Sequence, residues 1–214
     1  CEHYNEAIFS CDLLACFNNN IMNTIQSTFT RKYNLKNINS RSLEPFYSIL
    51  DNEKPWTHYL QNKKVLIIHP FVESFQKQLQ NNFQMFANTP IFLENQHFVF
   101  YKCFQTIAGN HLHENWYETF RIMCSDISKL DFDIALLGCG GYGLPLCHFI
   151  KKDLQKSAIY VGGGLQLLFG VMGGRWKNHE IIQKIIRENN SSFVSPMKKE
   201  SCNNYKTIEN GCYW

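Results

Sequence analysis

Residues 138–143 read Gly138-Cys139-Gly140-Gly141-Tyr142-Gly143, with glycines at G-x-G-x-x-G spacing directly behind the apolar run Ile134–Leu137. Glycine reaches positive φ and leaves no Cβ between an anionic ligand and the backbone, so such a turn suits phosphate chemistry. A second glycine turn, Gly162-Gly163-Gly164, follows the next apolar stretch and leads into Leu165-Gln166-Leu167-Leu168-Phe169. Gln166 is the one polar side chain between Gly164 and Gly170, which makes it a candidate hydrogen-bond donor to a ligand. Gly173-Gly174-Arg175-Trp176 then offers a guanidinium able to pair bidentately with a diphosphate and an indole able to stack on a ring. For acid–base work the best candidates are His69, at the end of the apolar run 65–68, and Glu73, one turn further on. A structural histidine beside Pro70 is the competing reading.

Two other polar clusters compete for attention. His111, His113 and Glu114 have a His-x-His-Glu spacing that a metal would tolerate, but a loop running into a helix N-terminus accounts for them more simply. Asp51-Asn52-Glu53 has the D-x-E spacing of divalent-metal sugar-nucleotide enzymes, and it also has the composition of an ordinary turn. Neither cluster fixes a metal, so metal dependence stays open. Cys139 and Cys147 flank a glycine turn without an assignable base, and no nucleophile elbow is present.

The elements that must hold these groups alternate between strand and helix, which predicts an α/β fold, Rossmann-like, with a mostly parallel sheet flanked by helices. The expected strands are 65–68, 134–138 and 157–162, with one or two more from 91–93 and 97–101. The expected helices are 7–17, 21–29, 56–61, 72–86, 114–130, 144–153 and 179–189. In 114–130 the stripe Trp116, Phe120, Met123, Ile127 and Leu130 reads as core packing. Residues 34–42 read as loop. The organisation expected is a helical or irregular N-terminal segment (1–55) packed on a nucleotide-binding core (56–189), with an irregular tail (190–214).

The ligand expected at the glycine turns is not NAD. A dinucleotide fold places an acid about 20 residues on, at the end of the next strand, whereas this strand runs into Tyr160-Val161-Gly162. No Gly-Lys-Ser/Thr follows to make a Walker loop. A mononucleotide, a nucleotide diphosphate or a sugar phosphate lying across two adjacent turns remains.

Bulk properties narrow the classes. The 214 residues suffice for one core, and the net charge is only +3. Lys63-Lys64, Lys151-Lys152 and Lys198-Lys199 are isolated doublets rather than a basic stripe, so nucleic acid is not an expected partner. No apolar run approaches the ~20 residues of a membrane span. Nine cysteines, an odd number without CxxC pairs, read as reduced thiols in a cytoplasmic protein. The chain begins at Cys1 rather than Met and is expected to be a piece of a longer protein.

The run 65–69, the strand and turn 133–143 and the segment Ala158-Ile159-Tyr160-Val161-Gly162-Gly163 followed by a tryptophan resemble the GT-D-type glycosyltransferases, Rossmann-like enzymes that move sugars from nucleotide donors. The chain is also similar to a group of bacterial and viral proteins without an assigned activity. That likeness rests on Leu43-Glu44-Pro45, His69-Pro70-Phe71, Gln166-Leu167-Leu168-Phe169-Gly170, Arg175-Trp176 and Gly211-Cys212-Tyr213-Trp214, and it spans about the last three quarters of the sequence. The GT-D resemblance implies a UDP- or GDP-sugar donor and a glycan or protein acceptor. Gly138, Gly140, Gly141, Tyr142, Gly143, Gly163, Gly164, Gln166 and Arg175 would hold the donor, and His69 or Glu73 would act as base. It also implies a D-x-E just after the second strand's glycines, where this chain reads Leu165-Gln166-Leu167. The alternative from another class is a non-catalytic module that binds a nucleotide or sugar phosphate.

Overall fold

The computed structural model describes residues 2–17 and 20–214. Helix α1 (Glu2–Ser10) and strand β1 (Leu14–Cys16) lead to helix α2 (Asn20–Tyr33), strand β2 (Asn37–Asn39) and helix α3 (Pro45–Leu50). The remainder runs β3 (Lys64–His69), α4 (Val72–Gln80), β4 (His97–Lys102), α5 (Trp116–Ile127), β5 (Ile134–Leu137), α6 (Gly143–Lys152), β6 (Ser157–Tyr160), α7 (Leu165–Leu168) and α8 (Glu180–Asn189). Strands β3 to β6 form one parallel sheet in the order β4-β3-β5-β6. The α/β class, the parallel sheet and the flanking helices are as expected from the sequence.

Alternating residues of the central strands feed two cores. Val65 and Ile67 of β3 and Leu136 of β5 join Phe71 and Phe75 on one face, with α7 and α8. Leu66, Ile68, Ala135 and Leu137 face the other way, onto Phe120, Met123 and Ile127 of α5 and Leu146 and Ile150 of α6. With both faces covered, five of the six β3 residues are buried, which is why that strand is continuously apolar. The chain leaves β3 toward β4 and leaves β5 toward β6, so the connections part between β3 and β5. Open parallel sheets bind ligands at the carboxyl ends of the strands beside such a point. His69 and Gly138 lie there.

Several boundaries differ from the sequence expectation. The helix expected over 7–17 ends at Ser10, and residues 14–16 instead pair in parallel with 37–39, inside the expected loop 34–42. Asn18 and Asn19, from the asparagine run, lie outside the described residues. The helix expected over 72–86 stops at Gln80 because Asn82 adopts φ +53° and turns the chain. Residues 91–93 form no strand. Their place is set by Thr57, whose hydroxyl donates to the Ile91 carbonyl. Helix α5 starts late, at Trp116, where the Asn115 side chain accepts the Glu118 N–H as an N-cap.

Candidate functional site

At the carboxyl end of the sheet three glycine positions are defined by what a Cβ would strike. At Gly138 it would stand 2.6 Å from His69 Cδ2 and 2.8 Å from the Gly162 carbonyl oxygen. The ends of β3, β5 and β6 therefore meet at one place, with the His69 ring between the two glycine turns. Gly140 (φ +56°) and Gly162 (φ +74°) are left-handed, and open space lies within 4 Å where their side chains would be. Side chains other than glycine are strained in that conformation, so the sequence has kept both turns tight and bare. No side chain caps the start of α6. Two tyrosines brace the first turn from outside: Tyr4 of α1 donates to the Gly141 carbonyl, and Tyr160 donates to that of Gly140 at 3.1 Å.

The histidine is built to stay neutral. His69 is 3% exposed, and its ring lies 4.7 Å from that of Phe75 and 5.0 Å from that of Phe71. Its Nδ1 accepts the Phe71 N–H at 3.0 Å, which leaves the proton on Nε2. Burial pushes its pKa down to about 3. The group can offer a hydrogen bond toward the turns, but it is a poor proton acceptor at neutral pH.

Glu73 was expected to work with it and is occupied elsewhere. Its carboxylate pairs with Lys102 at 2.6 Å and with Lys199, and those two ammonium groups hold its pKa down to about 2. The helix start on which Glu73 sits is also taken. Glu200, 1% exposed, accepts the Glu73 N–H at 2.9 Å and both the N–H and the hydroxyl of Ser74. A carboxylate from the chain's own tail thus fills the N-terminus of α4, the spot that would otherwise attract an anion.

The other expected binding residues divide by surroundings. Gly143 lets α6 close onto β6, since a Cβ there would overlap the Tyr160 ring. Tyr142 is buried: its ring stacks on Trp116 at 5.1 Å, and its hydroxyl shares a 2.6 Å hydrogen bond with Thr106. At Gly163 a Cβ would stand 2.6 Å from the Tyr213 ring. Gln166 is 1% exposed, and its Nε2 donates to the Tyr213 carbonyl at 3.1 Å while its Oε1 has no partner. Arg175 pairs with Glu209, and its guanidinium lies 4.5 Å from the centre of the Tyr213 ring. Trp176 is buried. The C-terminal segment is therefore the second wall of the site, holding Gly163, Gln166 and Arg175 together.

One carboxylate escaped the sequence reading. A Cβ at Gly164 would stand 2.6 Å from Glu44 Oε1. Glu44 precedes α3, caps nothing with its side chain, and is partly buried. Burial raises its pKa, with Arg41 pulling the other way. The only signal available in the sequence was the Leu43-Glu44-Pro45 triplet.

Metal ligation finds little support in the side chains present. Among the described residues no group of three or more His, Cys, Asp or Glu is gathered closely enough to hold an ion. His113 bonds Thr119 through Nδ1 at 3.0 Å, and His111 bonds the Gly109 carbonyl at 3.1 Å. Asp51 and Asn52 form the turn after α3, Asn52 with φ +58°. The eight described cysteines are free, and Cys139 is buried against Cys103, its thiol pushed well above the ordinary range by desolvation. Among the described residues no helix is long and apolar enough to cross a membrane.

A four-stranded parallel sheet with bare glycine turns beside its switch point defines a Rossmann-like α/β protein. The GT-D fold-like domain matches residues 6–168, and the chain belongs to that family, with its glycosyltransferase-like fold. No curated protein and no solved structure matches the chain.

Proposed function

We propose that the protein transfers a sugar from a UDP- or GDP-sugar to a hydroxyl of a glycan or protein acceptor. The observation that carries the reading is the meeting of His69, Gly138 and Gly162 beside the switch point, between two glycine turns with empty space beside Gly140 and Gly162. The donor diphosphate lies along these turns, with backbone N–H groups and the His69 Nε2–H directed at its oxygens. Glu44, at the second turn, serves as base: burial raises its proton affinity, whereas Glu73 is held low by two lysines and His69 by its apolar cage. In the step, the bond from the sugar's anomeric carbon to the diphosphate oxygen breaks and its electron pair leaves with the diphosphate. The acceptor oxygen bonds to that carbon, and its proton passes to Glu44.

Calorimetric titration with UDP-, GDP- and CMP-sugars tests the donor site. One of them should bind, and Glu44→Gln should keep that binding while slowing transfer by about 10²-fold or more. Failure of all three to bind removes the reading. The alternative, a non-catalytic nucleotide or sugar-phosphate module, draws support from Leu165-Gln166-Leu167, which stands where the GT-D resemblance implies a D-x-E. It predicts binding without transfer or donor hydrolysis on long incubation.

A further inference from the structure

The C-terminal segment builds a cleft of its own, apart from the glycine turns. It is an open cleft of about 620 Å³ between Gly174, Lys177, Ser195, Lys198, Lys206 and Trp214, and Tyr205 forms part of its wall. The volume falls within the usual range of small-molecule sites. Lys177, Lys198 and Lys206 are all exposed, and among the described residues none of their ammonium groups has an ion-pair partner. That contrasts with Lys102 and Lys199, both of which are spent on Glu73. No Asp or Glu lines the cleft, and the adjacent Glu209 is engaged by Arg175. Three lysines without ion-pair partners on one concavity, and no acid in its lining, give it a positive character that suits an anion.

The remaining lining supplies a second kind of contact. Trp214 and Tyr205 stand with ring centroids 5.4 Å apart, and the Trp214 indole N–H is buried without an acceptor. Ser195, Ser201 and Asn210 add neutral hydrogen-bonding groups. Flat apolar faces beside hydroxyl and amide groups match a ring that is apolar on its faces and hydroxylated at its rim. Lysine meets phosphate as a point charge, and three of them suit a dianion better than a single carboxylate.

We infer that this cleft binds a sugar carrying a phosphate group and is the acceptor subsite. The binding claim stands on the cleft alone, and only the acceptor role rests on the transferase reading. Tyr213 links the cleft to the glycine turns: Gly174 lines the cleft and donates to the Trp214 carbonyl at 3.0 Å, while Tyr213, the residue before Trp214, lies on Gly163.

Intrinsic fluorescence reports on the cleft because Trp214 forms its wall. Glucose 1-phosphate, inorganic phosphate, methyl glucoside and UDP are titrated into the intact chain. Glucose 1-phosphate should perturb the Trp214 signal, absent from Trp214→Phe, and should bind on the order of tenfold tighter than either methyl glucoside or inorganic phosphate. Lys198→Gln with Lys206→Gln should weaken it by a similar factor or more while leaving UDP binding intact. All three lysines are exposed, so these variants are expected to fold, and an unchanged melting temperature confirms it. Equal binding of methyl glucoside, or an undiminished affinity in the lysine variant, overturns the site. Equal binding of inorganic phosphate overturns its sugar part. Binding of glucose 1-phosphate by a protein that takes no nucleotide-sugar retains the cleft and discards the acceptor role.

Discussion

A histidine ring caged by Phe71 and Phe75 gains a proton only by giving a buried charge no solvent, so His69 stays neutral in the folded state down to about pH 3. The unfolded chain takes up that proton near pH 6.5. Between these values the unfolded state binds more protons, so stability is complete above about pH 6.5 and falls as the pH drops toward 3. At pH 5 the loss from this one group is about 2 kcal/mol. Unfolding free energies from urea titration at pH 7 and pH 5 should differ by about 2 kcal/mol more in the natural chain than in His69→Gln; an equal pH dependence in both would refute the caged state. His69 stands out in the sequence because it ends an apolar strand. Glu73 is near in sequence but faces Lys102 and Lys199, whereas Glu44, 25 residues earlier than His69, is brought to the second glycine turn.

At the scale of elements, the glycine turn has two separable jobs that spacing alone does not distinguish. Gly140 stands in open space, while Gly143 is a packing residue that admits the Tyr160 ring between α6 and β6. Gly143→Ala should cost about 1–3 kcal/mol by overpacking. Tyr160→Ala in that background should return part of the loss, so the two substitutions are non-additive in a double-mutant cycle measured by denaturation. Additive costs would show that the two residues do not meet. The N-terminal elements teach the complementary lesson. Residues 14–16 have a helical neighbour and an apolar composition, yet they form a strand because Asn37–Asn39 is available to pair with them. Local propensity is weak, and a partner 23 residues away overrides it.

Across the whole molecule the C-terminal tail, which reads as polar and irregular, ties together α4 and the segments that follow β6. Glu200 caps α4, and residues 212–214 hold Gly173, Gly174, Arg175 and Gln166. Glu200→Ala should therefore lower stability by about 1.5–3 kcal/mol, the range for hydrogen bonds to a charged group. Glu200→Gln should recover part of the loss because an amide oxygen can still accept. Chemical denaturation of the three proteins checks the order, and an alanine variant as stable as the natural chain would show that the cap contributes nothing.

What the sequence determined by itself is the scaffold of the site. The buried strands Lys64–His69 and Ile134–Leu137, the glycine turn behind the second, and the α/β alternation all follow from short-range pattern, since a strand covered on both faces must be apolar throughout. The tertiary structure decided which groups stand at that scaffold. It put Glu44 there in place of Glu73, turned Tyr142 into the core, and tied Gln166 and Arg175 to the tail. It also raised a lysine-lined cleft from residues that look like a solvated end of the chain. These contacts join positions tens to more than a hundred residues apart, and no periodicity or spacing encodes them. Burial and charge pairing, which set the proton affinity of each group, exist only after those positions meet.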